Sequence, residues 1–327
     1  MIGGIVRPAQ EKLDRFKGRN ILDIDSLTRE DIETIMETAA YYDQALTEKQ
    51  RLYDMDGKIM ASLFFEPSTR TRLSFEAAME RLGGKIISVS ETPEFQISST
   101  ARGETLHDSI RVVNGYCDVI VCRSSVSGAR QEINEAAAVP YINAGDGTGE
   151  HPTQALLDVY TIYKEKGCVD GLDYLICGDL KYGRAPHSFL NALTKFRPRR
   201  IILASPAGLN MPGEYVAKAA MLPGTEVVEC RDLASAVGEA DVIYTTRIQR
   251  RRYASEEDYF QSKDRFVMKE SFLPSLRPGA IIMDPLPRIR EIELAVDDYP
   301  GAAYFRQAGN GVPVRMAVLS LLTGSVR

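Results

Sequence analysis

The chain has 327 residues, of which 44% are hydrophobic and 26% charged, and its formal net charge is -5 at pH 7. This length allows two domains with large apolar cores, and the composition is that of a globular protein in solution. The negative charge argues against nucleic acid as the main partner. No apolar run approaches the roughly 20 residues of a membrane span, and the N-terminal stretch lacks the apolar region of a signal peptide. We therefore expect a cytoplasmic protein without a membrane or nucleic-acid partner.

The cysteines and histidines give no sign of a disulfide framework or a metal site. The five cysteines form no CxxC pair, which fits reduced thiols in the cytosol. The three histidines, His107, His151 and His187, lie far apart, and no spacing suggests zinc. We expect no metal and no cofactor.

Strands and helices alternate along the first half of the chain. Residues 59–65 form an apolar run typical of a buried strand, and apolar residues then recur at helical spacing up to the glycine pair 83–84. The polar stretch 91–103 is long and lacks periodicity, which favours a functional loop. The other predicted elements here are a helix that opens at Thr28, strands at 85–90, 118–123 and 139–144, and helices at 104–115 and 127–138.

A glycine-rich stretch at 144–150 is the predicted junction between two domains. His151 precedes Pro152, and because proline favours the first helical position, His151 is expected to be the N-cap of a helix. Strands are then predicted at 172–178, 200–204, 226–230, 241–247 and 280–284, with helices at 184–196, 214–221, 232–240 and about 313–322.

This alternation predicts an α/β protein of two domains, each a mostly parallel sheet with helices on both faces, joined by interdomain helices. The first domain is expected to comprise residues 1–150 together with a C-terminal helix at about 310–327. The second is expected to comprise residues 151–309.

The stretch from Ser68 to Arg72 follows the first buried strand and opens a helix. Free backbone N–H groups and the helix dipole favour an anion at such a position. One interpretation is an ordinary N-cap followed by two solvated arginines. However, three hydroxyl groups and two arginines fall within these five residues, so we favour a phosphate cradle.

Polar groups from six stretches follow strands or open helices in the same way. They are Ser68, Arg123, His151, Arg184, Arg247 and the pair Pro285–Leu286. In open α/β sheets, ligands bind outside the carboxyl ends of the strands. A single arginine there is more often a surface ion pair, whereas four of them form a cationic cleft. The four are Arg70, Arg123, Arg184 and Arg247. The set predicts small substrates with several negative charges, and phosphoryl or acyl chemistry without Mg²⁺.

Five motifs carry a resemblance to a known family. They are FFEPSTRTRLSFEAAMERLGG at 64–84, HPTQALLD at 151–158, GDLKYGR at 178–184, TRIQ at 246–249 and DPLPR at 284–288. Together they resemble the aspartate/ornithine carbamoyltransferase family, and within it the members that use aspartate. The likeness runs from near the N-terminus to beyond residues 308–311. It implies transfer of the carbamoyl group of carbamoyl phosphate to the amino group of L-aspartate, in pyrimidine biosynthesis.

The resemblance also implies a role for each matching residue. Carbamoyl phosphate would be bound by Ser68, Thr69, Arg70, Thr71, Arg123, His151 and Gln154. The catalytic groups would be Thr71, Arg123 and His151, which polarise the carbonyl, and Gln154, which holds the carbamoyl amide. Aspartate would be bound by Arg184, Arg247, Gln249, Pro285 and Leu286.

The resemblance further implies how domains and subunits share the work. Residues 1–150 with the C-terminal helix would bind carbamoyl phosphate, and residues 151–309 would bind aspartate. The family forms homotrimers with active sites shared between subunits, so Ser98 and Arg102 would reach the site of a neighbouring subunit. Regulatory chains are a possible further partner.

Three residues depart from the family pattern. Arg102 stands where a lysine is usual, and it keeps the charge but is longer and planar, so its contact is expected to change. Ser124 and Asp284 each stand where histidine is common. We interpret Arg72 as structural, pairing with an acidic residue.

Two other functions stay open on the residues alone. One is a carbamoyltransferase with a different acceptor, but an ornithine enzyme is expected to have a cysteine in an HCLP motif where this chain has DPLP. The other is a catalytically weak paralogue that binds anions for regulation or assembly. Arg247 and Gln249 argue against ornithine, and the intact Thr71, His151 and Gln154 argue against a weak paralogue.

Overall fold

The computed structural model describes residues 7–90, 104–147, 149–248 and 265–326. The chain divides into two compact units, Met1–Tyr160 with Asn310–Arg327, and Thr161–Gly309. Each unit is built on one sheet of parallel strands, which confirms the predicted α/β class with two parallel sheets. No helix within the described ranges has both the length and the apolar character that a bilayer span requires.

The first unit holds a four-stranded sheet in the order β2-β1-β3-β4. Its elements are α1 (Gln10–Asp14), α2 (Arg29–Thr47), β1 (Ile59–Phe64), α3 (Thr69–Arg81), β2 (Lys85–Ser90), α4 (Leu106–Val113), β3 (Val119–Ser124), α5 (Ala129–Ala136) and β4 (Tyr141–Asp146). Strands β3 and β4 are buried along their whole length, as parallel strands covered on both faces are expected to be. The predicted cap of the first long helix is confirmed, because Thr28 and Asp31 form a capping box on α2.

The second unit holds a five-stranded sheet in the order β7-β6-β5-β8-β9. Its strands and helices are β5 (Asp173–Cys177), α7 (Arg184–Leu193), β6 (Arg200–Ala204), α8 (Gly213–Ala220), β7 (Glu226–Cys230), α9 (Leu233–Ala236), β8 (Val242–Thr245) and β9 (Ile281–Met283). Short 3-10 helices lie at Val237–Glu239, Glu270–Ser275 and Leu294–Asp298. Inward-facing residues of β5, β6, β8 and β9 form the core with α9.

Two helices contain the boundaries between the units. Helix α6 (Pro152–Lys166) begins in the first unit and continues into the second, and α10 (Tyr304–Leu322) returns the chain to the first. The predicted start of α10 at about residue 313 is wrong by nine residues. Pro313 lies inside the helix, and Gly309, Asn310 and Gly311, which have low helix propensity, precede it. Burial overrides that propensity, since Gln307 and Asn310 are 1% and 4% exposed.

Candidate active site

The carboxyl ends of β1, β3 and β4 lie side by side in the first unit, and each leads into predicted site residues. Phe64 at the end of β1 pairs in register with Arg123 near the end of β3. Ser124 at the end of β3 pairs with Asp146 at the end of β4. One edge of this sheet therefore carries the turn before α3, Arg123, and the turn before α6.

The first of these turns has the geometry expected of an anion site. Ser68 is the N-cap of α3 with extended backbone, and its hydroxyl makes no capping bond to the helix. Thr69 and Arg70 are exposed, whereas Thr71 is 6% exposed. The first backbone N–H groups of α3 have no acceptor inside the helix, so they can donate hydrogen bonds to an anion. The predicted pairing of Arg72 with an acidic residue is confirmed, because its Nε lies 3.5 Å from Oε1 of Glu76.

Arg123 is held at the sheet edge by two contacts. Its Nη2 donates to Oε1 of Glu66 at 3.0 Å, and its Nη1 donates to the carbonyl oxygen of Ala144 at 3.2 Å. The residue is 8% exposed, so the guanidinium group is fixed beside the turn that carries Ser68. Ser124, one of the three departures from the family pattern, accepts a bond from the N–H of Val126 at 3.1 Å and so closes the turn after β3.

Asp146 fixes the path of the chain from β4 to His151. It is 1% exposed and accepts bonds from Arg130 at 2.9 Å, from the N–H of Gly128 at 3.2 Å and from the N–H of Glu150 at 2.9 Å. This buried carboxylate therefore fixes the residue directly before His151. The sequence predicts this stretch, residues 144–150, only as a glycine-rich junction between domains.

His151 occupies the cap position of α6, as predicted. Its carbonyl oxygen accepts bonds from the N–H groups of Gln154 at 3.0 Å and Ala155 at 3.3 Å, and the residue is 6% exposed. Gln154 lies one turn later, and its Nε2 donates to Oδ1 of Asp158 at 2.8 Å. The spacing of HPTQALLD thus places an imidazole and a fixed amide in the first turn of one helix.

The second unit brings together the remaining predicted residues that the structure describes. Arg184 opens α7 in the connection after β5, Arg247 follows β8, and Pro285–Leu286 follow β9. Strand β5 is the neighbour of β8, and β8 is the neighbour of β9, so the three stretches share one sheet edge. Gly178 has φ +114°, and an added Cβ would lie 2.1 Å from the carbonyl oxygen of Thr246, so only glycine lets these strand ends approach so closely.

A buried histidine fixes the GDLKYGR connection after β5. The Nε2 of His187 lies 2.8 Å from the carbonyl oxygen of Leu180, and its ring stacks on Tyr215 with 4.5 Å between ring centroids. Burial lowers the pKa of His187 below its ordinary value, which favours the neutral ring. The histidine therefore supports the segment that leads to Arg184.

Asp284 organises the turn after β9. It is 2% exposed, and its Oδ2 accepts a bond from the hydroxyl of Thr245 at 2.7 Å while its Oδ1 accepts one from the N–H of Leu286 at 2.7 Å. Leu286 has φ +55°, a backbone conformation that is strained for leucine. From the sequence, Asp284 is only a departure from the family pattern. The supporting role of Thr245 could not be predicted, because no local pattern indicates its partner.

Three predicted site residues, Ser98, Arg102 and Gln249, lie outside the described residues. Among the described residues there is no group of three or more His, Cys, Asp or Glu side chains placed to hold a metal ion. The chain is thus an α/β protein whose parallel sheets each direct basic and polar groups to one edge.

Comparisons with known proteins show the family to which this architecture belongs. Residues 19–164 match the family model described as "Aspartate/ornithine carbamoyltransferase, carbamoyl-P binding domain", and residues 170–322 match the "Asp/Orn binding domain" of the same family. The chain belongs to the aspartate/ornithine carbamoyltransferase family, which confirms the resemblance seen in its motifs.

The chain is similar over nearly its whole length to proteins of three named organisms. The aspartate carbamoyltransferase catalytic subunit of Picrophilus torridus is 45% identical over 309 residues, which are 94% of this chain and 99% of the relative. The aspartate transcarbamoylase of Trypanosoma cruzi, solved in complex with N-(phosphonacetyl)-L-aspartic acid, superposes with a TM-score of 0.89 at 36% identity, over 96% of this chain and 99% of that one. The catalytic subunit of the M. jannaschii aspartate transcarbamoylase superposes with a TM-score of 0.86 at 41% identity, over 94% of this chain and 98% of that one.

Proposed function

We propose that the protein transfers the carbamoyl group of carbamoyl phosphate to the amino group of L-aspartate, giving N-carbamoyl-L-aspartate and phosphate. One observation carries the proposal. This member of the family has a helix-opening turn suited to an anion at the sheet edge of its first unit, and two arginines at the sheet edge of its second unit. The T. cruzi relative has been solved in complex with carbamoyl phosphate and aspartate, the two substrates proposed here. The reaction would commit carbamoyl phosphate to pyrimidine biosynthesis, in the cytoplasm.

The first unit is proposed to bind carbamoyl phosphate. The phosphate is expected to accept bonds from the first turn of α3 and from a set of side chains, namely Ser68, Thr69, Arg70, Thr71 and Arg123. Donors that are fixed before the substrate arrives stabilise charge without reorganisation. The buried position of Thr71 and the two contacts of Arg123 support this assignment.

Thr71, Arg123 and His151 are proposed to donate to the carbonyl oxygen of the carbamoyl group. When the amine attacks the carbonyl carbon, negative charge develops on that oxygen, and the three donors stabilise it. Gln154 is proposed to hold the carbamoyl NH₂ group. The C–N bond forms as the bond from the carbonyl carbon to the phosphate oxygen breaks, and the leaving phosphate takes the amine proton. No protein nucleophile is needed, and holding the two substrates together can contribute roughly 7–11 kcal/mol.

The second unit is proposed to bind aspartate. Arg184, Arg247 and Gln249 would bind its two carboxylates, and the carbonyl oxygens of Pro285 and Leu286 would orient the amines. Arginine is well suited to this because its planar guanidinium group binds a carboxylate through two parallel hydrogen bonds. The shared sheet edge of β5, β8 and β9 supports the grouping.

We further propose a homotrimer in which each active site takes Ser98 and Arg102 from the neighbouring subunit. The family resemblance and the length and polarity of the stretch 91–103 support this proposal. An isolated subunit would then lack two donors of its site.

An assay of ureido product tests the proposed function. The purified protein is incubated with carbamoyl phosphate and either L-aspartate or L-ornithine, and the product is measured colorimetrically. We expect product with aspartate and little or none with ornithine. Product with ornithine alone would identify a different acceptor, and no product with either would favour the weak paralogue.

A further inference from the structure

A buried arginine that the proposed mechanism does not use lies between the helices that carry the site of the first unit. Arg315 of α10 is 3% exposed, and its guanidinium carbon lies 5.0 Å from the ring centroid of Phe75 on α3. Gly311 makes room for it, because a Cβ there would lie 2.2 Å from its Nη1. A fully buried guanidinium group is costly unless an anion compensates it.

Asp158 of α6 is a buried carboxyl group that can compensate this charge. Burial lowers the pKa of Arg315 to about 10, and the charge of Asp158 opposes that shift. The same Cβ at Gly311 would lie 3.4 Å from the side chain of Leu157, the residue before Asp158, so Arg315 lies against this part of α6. Asp158 itself is 0% exposed. A buried cation near a carboxyl group stabilises the ionised carboxylate.

The ionised carboxylate fixes the orientation of Gln154. Oδ1 of Asp158 lies 2.8 Å from Nε2 of Gln154. An ionised carboxylate can only accept hydrogen bonds, so the amide must turn its NH₂ group toward Asp158. Its carbonyl oxygen is then directed away from Asp158 and is available as an acceptor. A neutral or amide side chain at position 158 would allow either orientation.

We propose that Asp158, paired with Arg315, is a positioning residue that makes Gln154 a hydrogen-bond acceptor for the NH₂ group of the carbamoyl donor. The inference rests on the proposed function and deepens it, because it names the group that selects a carbamoyl phosphate over an acyl phosphate. An acyl phosphate such as acetyl phosphate has a methyl group where carbamoyl phosphate has NH₂. A site built to accept that N–H bond discriminates against an analogue that lacks it.

The test compares two ligands that share the phosphate cradle and differ in that one group. The kcat/KM for carbamoyl phosphate, with saturating aspartate, and the inhibition constant of acetyl phosphate are measured for the wild type and for Asp158→Asn. An asparagine can donate to Gln154 and reverse its amide. We expect kcat/KM for carbamoyl phosphate to fall roughly tenfold or more, and the inhibition constant of acetyl phosphate to change less than about twofold.

Two further variants separate positioning from folding. Asp158→Asn leaves the buried Arg315 without its counter-charge, so Asp158→Asn combined with Arg315→Met removes both charges together and is expected to fold better. It should show the same selective loss. The matched control is Asp54→Asn, which changes another buried aspartate of the first unit, bonded to Tyr42 at 3.0 Å, and should leave both constants unchanged.

A double-mutant cycle with Gln154→Leu completes the test. Once Gln154 is removed, adding Asp158→Asn should cost little more in kcat/KM for carbamoyl phosphate, because the two residues act as one unit. Parallel losses for both ligands, an additive cycle, or unchanged discrimination would each overturn the inference while leaving the proposed function intact. A wild type that forms no carbamoyl-aspartate would overturn both, and the wild-type assay alone reveals that case.

Discussion

The backbone N–H of Leu286 donates a hydrogen bond of 2.7 Å to Oδ1 of Asp284, so a buried carboxylate holds the turn that follows β9. The other oxygen of the same carboxylate accepts a bond from Thr245 at the end of β8. Asp284 thereby joins the stretch that leads to Arg247 with the stretch whose carbonyl oxygens are proposed to orient the amines. Histidine, common in the family at this position, could not accept both bonds as a carboxylate does.

Removing this carboxylate should impair the acceptor half of the reaction. We expect Asp284→Ala to raise the KM for aspartate roughly tenfold, because the strained φ of Leu286 then loses its local support, and to change the KM for carbamoyl phosphate by less than about twofold. Asp284→Asn is the control, since its amide oxygen can still accept from Leu286. Steady-state kinetics with each substrate varied distinguishes the cases, and equal effects on both KM values would show that Asp284 supports only the fold.

His151 is expected to act through its side chain and not only as a helix cap. His151→Ala should lower kcat by on the order of 10²–10³, as expected for the loss of one donor to a developing oxyanion. His151→Ser retains a good N-cap but no imidazole. A serine variant that melts like the wild type and still turns over slowly would support the catalytic role, whereas near-normal turnover would reduce His151 to a cap.

Arg247 is expected to serve aspartate and not carbamoyl phosphate. Arg247→Ala should raise the KM for aspartate roughly ten- to a hundred-fold, the range for a charge-assisted bond, and should leave the dissociation constant of carbamoyl phosphate nearly unchanged. The control is Arg200→Ala, at the opposite end of the same sheet, where Arg200 pairs with Glu226 and Glu239. Comparable damage to both substrates in the Arg247 variant would show that its assignment to the acceptor is wrong.

Arg102 tests whether active sites are shared between subunits. Arg102→Ala should lower activity about ten- to a hundred-fold, and so should inactivate the site that it is proposed to complete. Arg102→Ala and His151→Ala chains, denatured and refolded together, should recover activity, because some interfaces then combine an intact loop with an intact site. Refolding each variant alone is the control, and trimers confirmed by size that show no recovery would place Arg102 elsewhere.

The parts of the fold that depend on local pattern could be predicted from the sequence. The apolar run before Glu66, the glycine pair that ends α3, and the proline after His151 each act on their own neighbours, and β1, α3 and α6 lie where these patterns predict them. The start of α10 was missed because its first turns carry polar residues that tertiary burial stabilises.

The side chains that support the site could not be predicted in the same way. Asp284 meets Thr245 across 39 positions of sequence, and Arg315 lies 157 positions after Asp158, so no local pattern reports either pair. The motif HPTQALLD contains Asp158, but its apolar neighbours suggest only a helix face. Ser98, Arg102 and Gln249 lie outside the described residues, and their roles stay predictions.

A competition between acceptors tests the central claim most directly. The protein is given ¹³C-carbamoyl phosphate with equal concentrations of L-aspartate and L-ornithine, in the presence of EDTA, and the labelled product is identified by mass spectrometry. The account predicts labelled N-carbamoyl-L-aspartate, formed at the same rate as without EDTA. Labelled citrulline as the main product, or the absence of any labelled ureido product, would contradict it.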